Sequence, residues 1–244
     1  MRFTDKVCLV TGGTSGIGRA TCLRLAAEGG HVVALGRDRA EGAQTVALVQ
    51  QAGGRAHFLT CDLARPAAVA TAVGRVLARH RRVDVLVCDA AMMTFAPLAK
   101  LPLAQWDQLM LVNLRSLAQL VQLCLPHMPA GSAIVAVSSV HAFRTTPGVV
   151  PYATSKGGLE ALVRGLSCEL DRRHTRINAV APGAVDTPML WTNPNVKSGV
   201  EVIDRASVGQ PAEVAAAIAF LASAEASFIH GTTLAVDGGR LAQL

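Results

Sequence analysis

The stretch Val7-Cys8-Leu9-Val10-Thr11-Gly12-Gly13-Thr14-Ser15-Gly16-Ile17-Gly18 decides how this chain reads. A short apolar run breaks at glycines and leads into a helical pattern that ends near Glu28-Gly29-Gly30. A strand–turn–helix of this kind aims backbone N–H groups and the positive end of a helix dipole at one point. That is a site for an anion such as a pyrophosphate. Glycine at positions 12, 16 and 18 permits the tight turn and the close approach of backbone to ligand. The spacing is G-x-x-x-G-x-G rather than G-x-G-x-x-G, and alone it is weak evidence. Its weight comes from its place at the first strand–helix junction.

Outward from that turn, short β-rich runs alternate with helical stretches. Strands are predicted at residues 7–10, 32–35, 56–60, 85–88, 134–137, 177–181 and 232–236. Helices are predicted at 40–52, 66–78, 103–125, 152–170 and 211–222. Short, continuously apolar strands are those of a sheet covered on both faces, and strand–helix alternation implies parallel, right-handed crossovers. The expected fold is α/β: a single doubly wound, Rossmann-type domain over residues 1–244, with a seven-stranded parallel sheet flanked by helices. No linker divides the chain. Residues 187–209, rich in Asn, Pro, Gly and charge, are the expected mobile lid over a site.

Composition agrees. Of 244 residues, 51% are hydrophobic and 16% charged, enough apolar material for a sizeable core. The net charge of +6 comes from scattered basic residues. The densest cluster, Arg79-His80-Arg81-Arg82, reads as a solvated connection, and neither a basic stripe nor stacking aromatics point to nucleic acid. The six cysteines form no C-x-x-C pair, so they are expected to be reduced core thiols of a cytoplasmic protein, with no metal site. The uncharged stretch 116–143 carries prolines, glutamines and histidines and is a poor membrane span.

The second strand ends Leu35-Gly36-Arg37-Asp38. An acid at that end favours NAD, and an Arg accommodates the 2′-phosphate of NADP. Gly36 stands where the acid would be and Arg37 follows, so NADP(H) is favoured over NAD(H). Alternatively Arg37 is a surface residue, and Asp38 caps the next helix in either case. Asp62 is placed to accept from an adenine amino group, or to cap the helix near Pro66.

Tyr152 and Lys156 lie one turn apart at a helix start, on one face. A nearby ammonium is expected to favour the phenolate and lower the tyrosine pKa toward neutrality, making an acid–base group. Ser139, at the carboxyl end of the fifth strand, can hold a carbonyl oxygen beside Tyr152. Ser138 is its competitor, but adjacent strand residues point to opposite sides.

These motifs together resemble the short-chain dehydrogenase/reductase family, of the common type of about 250 residues. The resemblance runs from Lys6 to Gly239. It rests on Thr11 to Gly18, Asp62, Asn113 within Val112-Asn113-Leu114, Ser139, Tyr152, Lys156, Pro182-Gly183-Ala184-Val185-Asp186-Thr187 and Asp237-Gly238-Gly239. It implies catalytic roles for Asn113, Ser139, Tyr152 and Lys156. Asn113 would bend its helix and hold a proton-relay water through its carbonyl. It implies cofactor contacts from Gly12, Thr14, Ser15, Gly16, Ile17, Gly18, Arg37, Asp62, Leu63, Ala90, Pro182, Gly183, Val185 and Thr187, beside Tyr152 and Lys156. One departure stands out: Cys88-Asp89-Ala90-Ala91 replaces the usual N-N-A-G. Cys88 cannot tie neighbouring strands as the first Asn does, and Asp89 near a cofactor has no explanation in the motif.

The implied activity is transfer of a hydride between NAD(P)(H) and a small-molecule alcohol or ketone. Expected pocket residues are Met92, His141, Phe143, Met189 and Trp191, with Met93, Phe95, Arg144 and Leu190 as further candidates. Most are apolar or soft, which favours a hydrophobic or medium-sized carbonyl. A 3-oxoacyl-thioester reductase, an NAD-linked sugar or steroid-type dehydrogenase, and a dinucleotide-sensing regulator without chemistry remain open. The resemblance also implies a homotetramer.

Overall fold

The apolar runs Val7–Thr11 (β1), His31–Gly36 (β2), Arg55–Thr60 (β3), Val85–Cys88 (β4), Ser132–Val137 (β5), Thr175–Pro182 (β6) and Thr233–Val236 (β7) pair side by side. They form one parallel sheet of seven strands in the order β3-β2-β1-β4-β5-β6-β7. The computed structural model describes residues 1–243. The order reverses between β1 and β4, and a cleft opens beyond the carboxyl ends of the strands there.

The helices are Gly16–Ala27 (α1), Arg39–Gln51 (α2), Pro66–His80 (α3), Leu103–Met110 (α4), Ser116–Cys124 (α5), Val150–Glu169 (α6), Pro188–Thr192 (α7), Pro194–Lys197 (α8) and Pro211–Ala222 (α9). Successive strand residues face opposite ways, so one sheet serves two cores. Val7, Leu9, Val33, Leu86 and Ile134 pack with α3, α5 and α6. Cys8, Val10, Val32, Val85 and Val135 pack with α1 and α9. Every crossover between these parallel strands lays a helix on a face.

Between α4 and α5 the helix runs through one π turn, Leu111–Arg115. The helical run Leu103–His127 is long and apolar enough to cross a bilayer. Its Leu117, Leu120, Val121 and Cys124 are buried against the sheet and its neighbours.

Arg176 on β6 is 4% exposed and donates to the carbonyls of Leu221 and Ser223, both at 2.7 Å. A cation thus closes the C-terminal end of α9, where carbonyls lack partners and the dipole is negative. The basic cluster after α3 is only partly a solvated connection. Arg81 turns the chain with φ +62°, and Arg82 pairs with the buried Asp84. Five cysteines are buried thiols and Cys168 is exposed.

The segment expected to be a mobile lid holds α7 and α8. Its ends are stitched together: Asp186 N–H donates to Gly209 O at 2.9 Å and Gly209 N–H to Ala184 O at 3.0 Å. Residues 187–209 are therefore an excursion from one closed base, and Asn195 docks it to the Pro147 carbonyl at 3.0 Å.

Candidate active site

The glycine turn is shaped by backbone packing as much as by a ligand. A Cβ at Gly18 would lie 2.2 Å from the Gly12 carbonyl oxygen, so Gly18 is needed for the turn to close on itself. It does not line the cleft, unlike Gly12, Thr14, Ser15, Gly16 and Ile17. At the adenosine end, a Cβ on Gly36 would come 2.4 Å from the Thr14 methyl. The Thr14 side chain would thus have to shift before an acidic side chain could stand at the end of β2. Arg37, Asp62, Leu63 and Ala90 line the cleft beside it. Asp38 caps α2, accepting from Glu41 N–H at 3.0 Å. Asp62 caps no helix; it accepts from Ala64 N–H at 3.1 Å, and Arg65 occupies the N-cap of α3.

The motif departure is resolved by Thr11. Its hydroxyl accepts from the backbone N–H groups of Asp89 at 3.1 Å and Ala90 at 3.2 Å, joining β1 to β4 where Cys88 cannot. Asp89 lies under the turn: its Oδ2 is 2.8 Å from where a Gly12 Cβ would sit and 2.7 Å from a Gly18 Cβ. It also takes a hydrogen bond from Gly18 N–H. Burial pushes its carboxyl up to about 7, while Lys156 and that hydrogen bond pull it down.

The π turn sets Asn113, as the expected bend requires. Its Oδ1 accepts from Met92 N–H at 2.8 Å, and its Nδ2 donates to Met92 O at 2.9 Å and to Ser155 Oγ at 3.1 Å. Ser155 Oγ donates in turn to Tyr152 O at 2.7 Å. Asn113 thus joins the strand β4 exit to the first turn of α6, and it acts from behind the cleft.

Tyr152 and Lys156 share a face of α6 and are 6% and 2% exposed. Lys156 Nζ lies 5.5 Å from the tyrosine ring centre and donates to Val137 O at 2.6 Å. Both serines line the cleft, against the expectation that they point to opposite sides, because both lie beyond the end of β5. Ser138 donates to Glu160 at 2.7 Å, and Ser139 turns to Tyr152 and accepts from His141 N–H at 3.2 Å.

The expected lowering of the tyrosine pKa is corrected here. Burial pushes Tyr152 up to about 12, with Asp89 adding to the rise and the Ser139 hydroxyl opposing it. Burial pushes Lys156 down to about 8, against the pull of Asp89. Desolvation sets the direction of the shift, so Tyr152 holds its proton at neutral pH.

On the substrate side, His141 and Met189 line the cleft, as do Met93 and Leu190. The His141 ring stands edge-on to Tyr152 at 5.7 Å between centres. Three expected residues are elsewhere. Met92 is engaged through its backbone by Asn113, and its neighbour Met93 turns inward. Phe143 is 56% exposed outside the cleft. Trp191 points away, donating to Asp186 at 2.6 Å under the Arg205 guanidinium. Phe95 and Arg144 also lie off the cleft wall. Asn193, Glu201 and Arg240 line it without having been anticipated. Pro182, Gly183, Val185 and Thr187 edge the cleft as expected.

The chain as a whole is similar to known proteins. The family model described as Enoyl-(Acyl carrier protein) reductase matches residues 12–240. Cyclopentanol dehydrogenase of Comamonas sp. is 35% identical, over 98% of both chains. The chain is a short-chain dehydrogenase/reductase. A 3-oxoacyl-[acyl-carrier-protein] reductase of Thermotoga maritima is also 35% identical, over 98% of this chain and 99% of its own. Among solved structures, levodione reductase superposes with TM-score 0.93 at 31% identity over 100% of both chains. A short-chain dehydrogenase from Burkholderia cenocepacia in complex with NADP superposes with TM-score 0.90 at 33% identity over 98% of both. This short-chain dehydrogenase/reductase is thus an NAD(P)-dependent oxidoreductase of the CH–OH/C=O class.

Proposed function

We propose that this enzyme is a cytoplasmic ketoreductase or alcohol dehydrogenase that favours NADP(H) and acts on a medium-sized, largely apolar carbonyl or alcohol. One observation carries the reading: the Ser139–Tyr152–Lys156 cluster stands in one continuous cleft with the glycine turn and Arg37. The residues fit a dinucleotide from end to end. Gly12, Thr14, Ser15, Gly16 and Ile17 would hold its phosphates, Arg37 and Asp62 its adenosine, and Thr187 and Val185 its nicotinamide. When bound, the nicotinamide gives or takes the hydride. Ser139 orients the substrate oxygen, and Tyr152, protonated at neutral pH, donates its proton to that oxygen during reduction. Lys156 would hold the ribose and pass protons on through the Asn113 turn.

NADP(H) preference rests on Gly36 and on Arg37, which makes no ion pair among the described residues. The NADP-bound relative supports it. The Thermotoga relative makes a 3-oxoacyl thioester the second substrate class to assay. The buried, unpaired thiols support a reducing compartment. A homotetramer is supported by the open edge at β7 and by exposed Phe228 and Leu234 beside it.

Turnover of a carbonyl panel, followed by nucleotide absorbance, tests the reading. Tyr152→Phe is expected to lose about 10²–10⁴-fold in kcat. Equal activity, or no activity of either protein with any carbonyl, contradicts it. Arg37→Ala is expected to cut kcat/KM for NADPH about tenfold or more and to spare NADH. A native preference for NADH contradicts the phosphate assignment.

A further inference from the structure

We propose that Glu201 and Arg240 form a polar subsite at the substrate end of the cleft, which binds a second, uncharged oxygen of the substrate. This rests on the carbonyl-oxidoreductase reading above.

The pair comes from two distant segments. Glu201 belongs to the lid and is 9% exposed. Arg240 follows the turn Asp237-Gly238-Gly239, where the Asp237 carboxylate accepts from Gly239 N–H at 3.0 Å and Leu241 N–H at 2.8 Å. That turn delivers Arg240 to the cleft, where its Nη2 donates to Glu201 Oε1 at 3.0 Å. Asn193 Nδ2 reaches the other carboxylate oxygen at 3.5 Å. All three side chains line the cleft with His141, and His141 lies against Tyr152.

A largely buried ion pair is a weak way to fasten a lid, because desolvation offsets most of the attraction. Apolar side chains would close the same gap. What the pair adds is unsatisfied hydrogen-bonding capacity. Among the described residues, the bond to Glu201 is the only one the Arg240 guanidinium makes, and a guanidinium has five N–H donors. Once a substrate expels water, those donors need an acceptor, and a ligand without one leaves them unpaired.

The chemistry of the second group follows from the charges. Arg240 and Glu201 neutralise each other, so the subsite suits a hydroxyl or keto oxygen. A hydroxyl can accept from Arg240 and donate to Glu201. A carboxylate would meet the Glu201 charge at close range. Met93, Val140, Met189 and Leu190 give the same cleft an apolar wall. The preferred substrate is therefore an apolar frame with the reacting carbonyl at one end and an uncharged oxygen at the other.

Matched ketones test this: cyclohexanone, 4-hydroxycyclohexanone, cyclohexane-1,4-dione and 4-oxocyclohexanecarboxylate. Wild type is expected to favour the hydroxyketone and diketone over cyclohexanone by about tenfold or more in kcat/KM, chiefly through KM. Arg240→Met is expected to bring those ratios within about twofold. Glu201→Gln leaves the Arg240 charge unopposed and is expected to raise kcat/KM for the carboxylate ketone about tenfold, a gain that loosening of the lid cannot produce. The proposal is overturned if Arg240→Met lowers every ketone by the same factor, if wild type shows no preference, or if Glu201→Gln gives no gain. Failure of wild type to reduce any ketone with either nucleotide would instead strike the oxidoreductase reading, and this subsite with it.

Discussion

Asp89 shows what a single residue does to this site. A carboxyl wedged beneath the glycine turn shares its surroundings with the phosphates that the turn receives. Lys156 and Tyr152 from α6, Cys22 from α1 and its neighbour Cys88 are the titratable groups facing it. Its carboxyl titrates near 7, so it is neutral below that pH and anionic above it. The anion opposes a bound dinucleotide, so Asp89 weakens cofactor binding as pH rises through 7. Asp89→Asn removes that term. The ratio of Asp89→Asn to wild-type NADPH affinity, measured by fluorescence titration, is expected to rise about three- to tenfold from pH 6 to pH 8. A flat ratio would show that the carboxyl stays in one protonation state. The sequence flagged Asp89 as a departure but could not give it a role, because its partners, Gly12, Gly18 and Lys156, are distant in the chain.

At the scale of elements, most of the fold was readable from the apolar runs. Strand β4 and helix α9 begin and end where the pattern puts them, and the other predicted strands differ by a residue or two at their ends. Apolar alternation marks the core of a strand but not its last hydrogen-bonded residue. The π turn at Asn113 is written in no periodicity, since it arises from side-chain bonds to Met92 and Ser155. Helices α7 and α8 were missed because each is a single turn or little more, too short to show a helical period. Two elements carry stability predictions. Arg176→Met strips the end of α9 of its donors and is expected to lower unfolding free energy by about 2–4 kcal/mol in urea titrations. An unchanged midpoint would mean that water replaces the guanidinium.

The second concerns β2, β3 and α3, which bring His31, His57 and His80 together, with the His57 and His80 rings stacked at 5.2 Å. Burial, then the neighbouring His80 and Arg79, pushes His57 from 6.5 down to about 4. The unfolded chain therefore takes up the proton first. Stability is full above pH 6.5 and declines as pH falls toward 4. A shift of this size corresponds to about 3 kcal/mol if fully expressed, and solvent at this half-buried ring reduces it to about 1–2 kcal/mol. Thermal melts of His57→Gln against wild type should show the gap between them closing or reversing between pH 7 and pH 4.5. A gap that does not move with pH would contradict it.

At the scale of the whole molecule, most of the residues expected to act in catalysis or hold the cofactor meet in one cleft because the motifs sit at strand ends, which a doubly wound sheet gathers on one edge. The substrate wall was much less so. Met92, Phe143 and Trp191 were anticipated from proximity in sequence, but Met92 is bonded through its backbone to Asn113, Trp191 donates to Asp186, and Phe143 faces solvent. Glu201 and Arg240 belong to no motif and meet only in the folded chain. The open β7 edge belongs to this scale too, and light scattering is expected to give about four times the chain mass; a monomer would leave that edge and Phe228 without a partner. The central claim is that hydride passes directly between nicotinamide and a carbonyl carbon beside Tyr152. It is tested most directly by supplying NADPH deuterated at the transferable C4 position with a ketone and reading the alcohol by mass spectrometry. The account predicts one deuterium on the carbinol carbon from the wild-type enzyme and almost none from Tyr152→Phe. Alcohol formed without label, or equal labelling by both proteins, would contradict it.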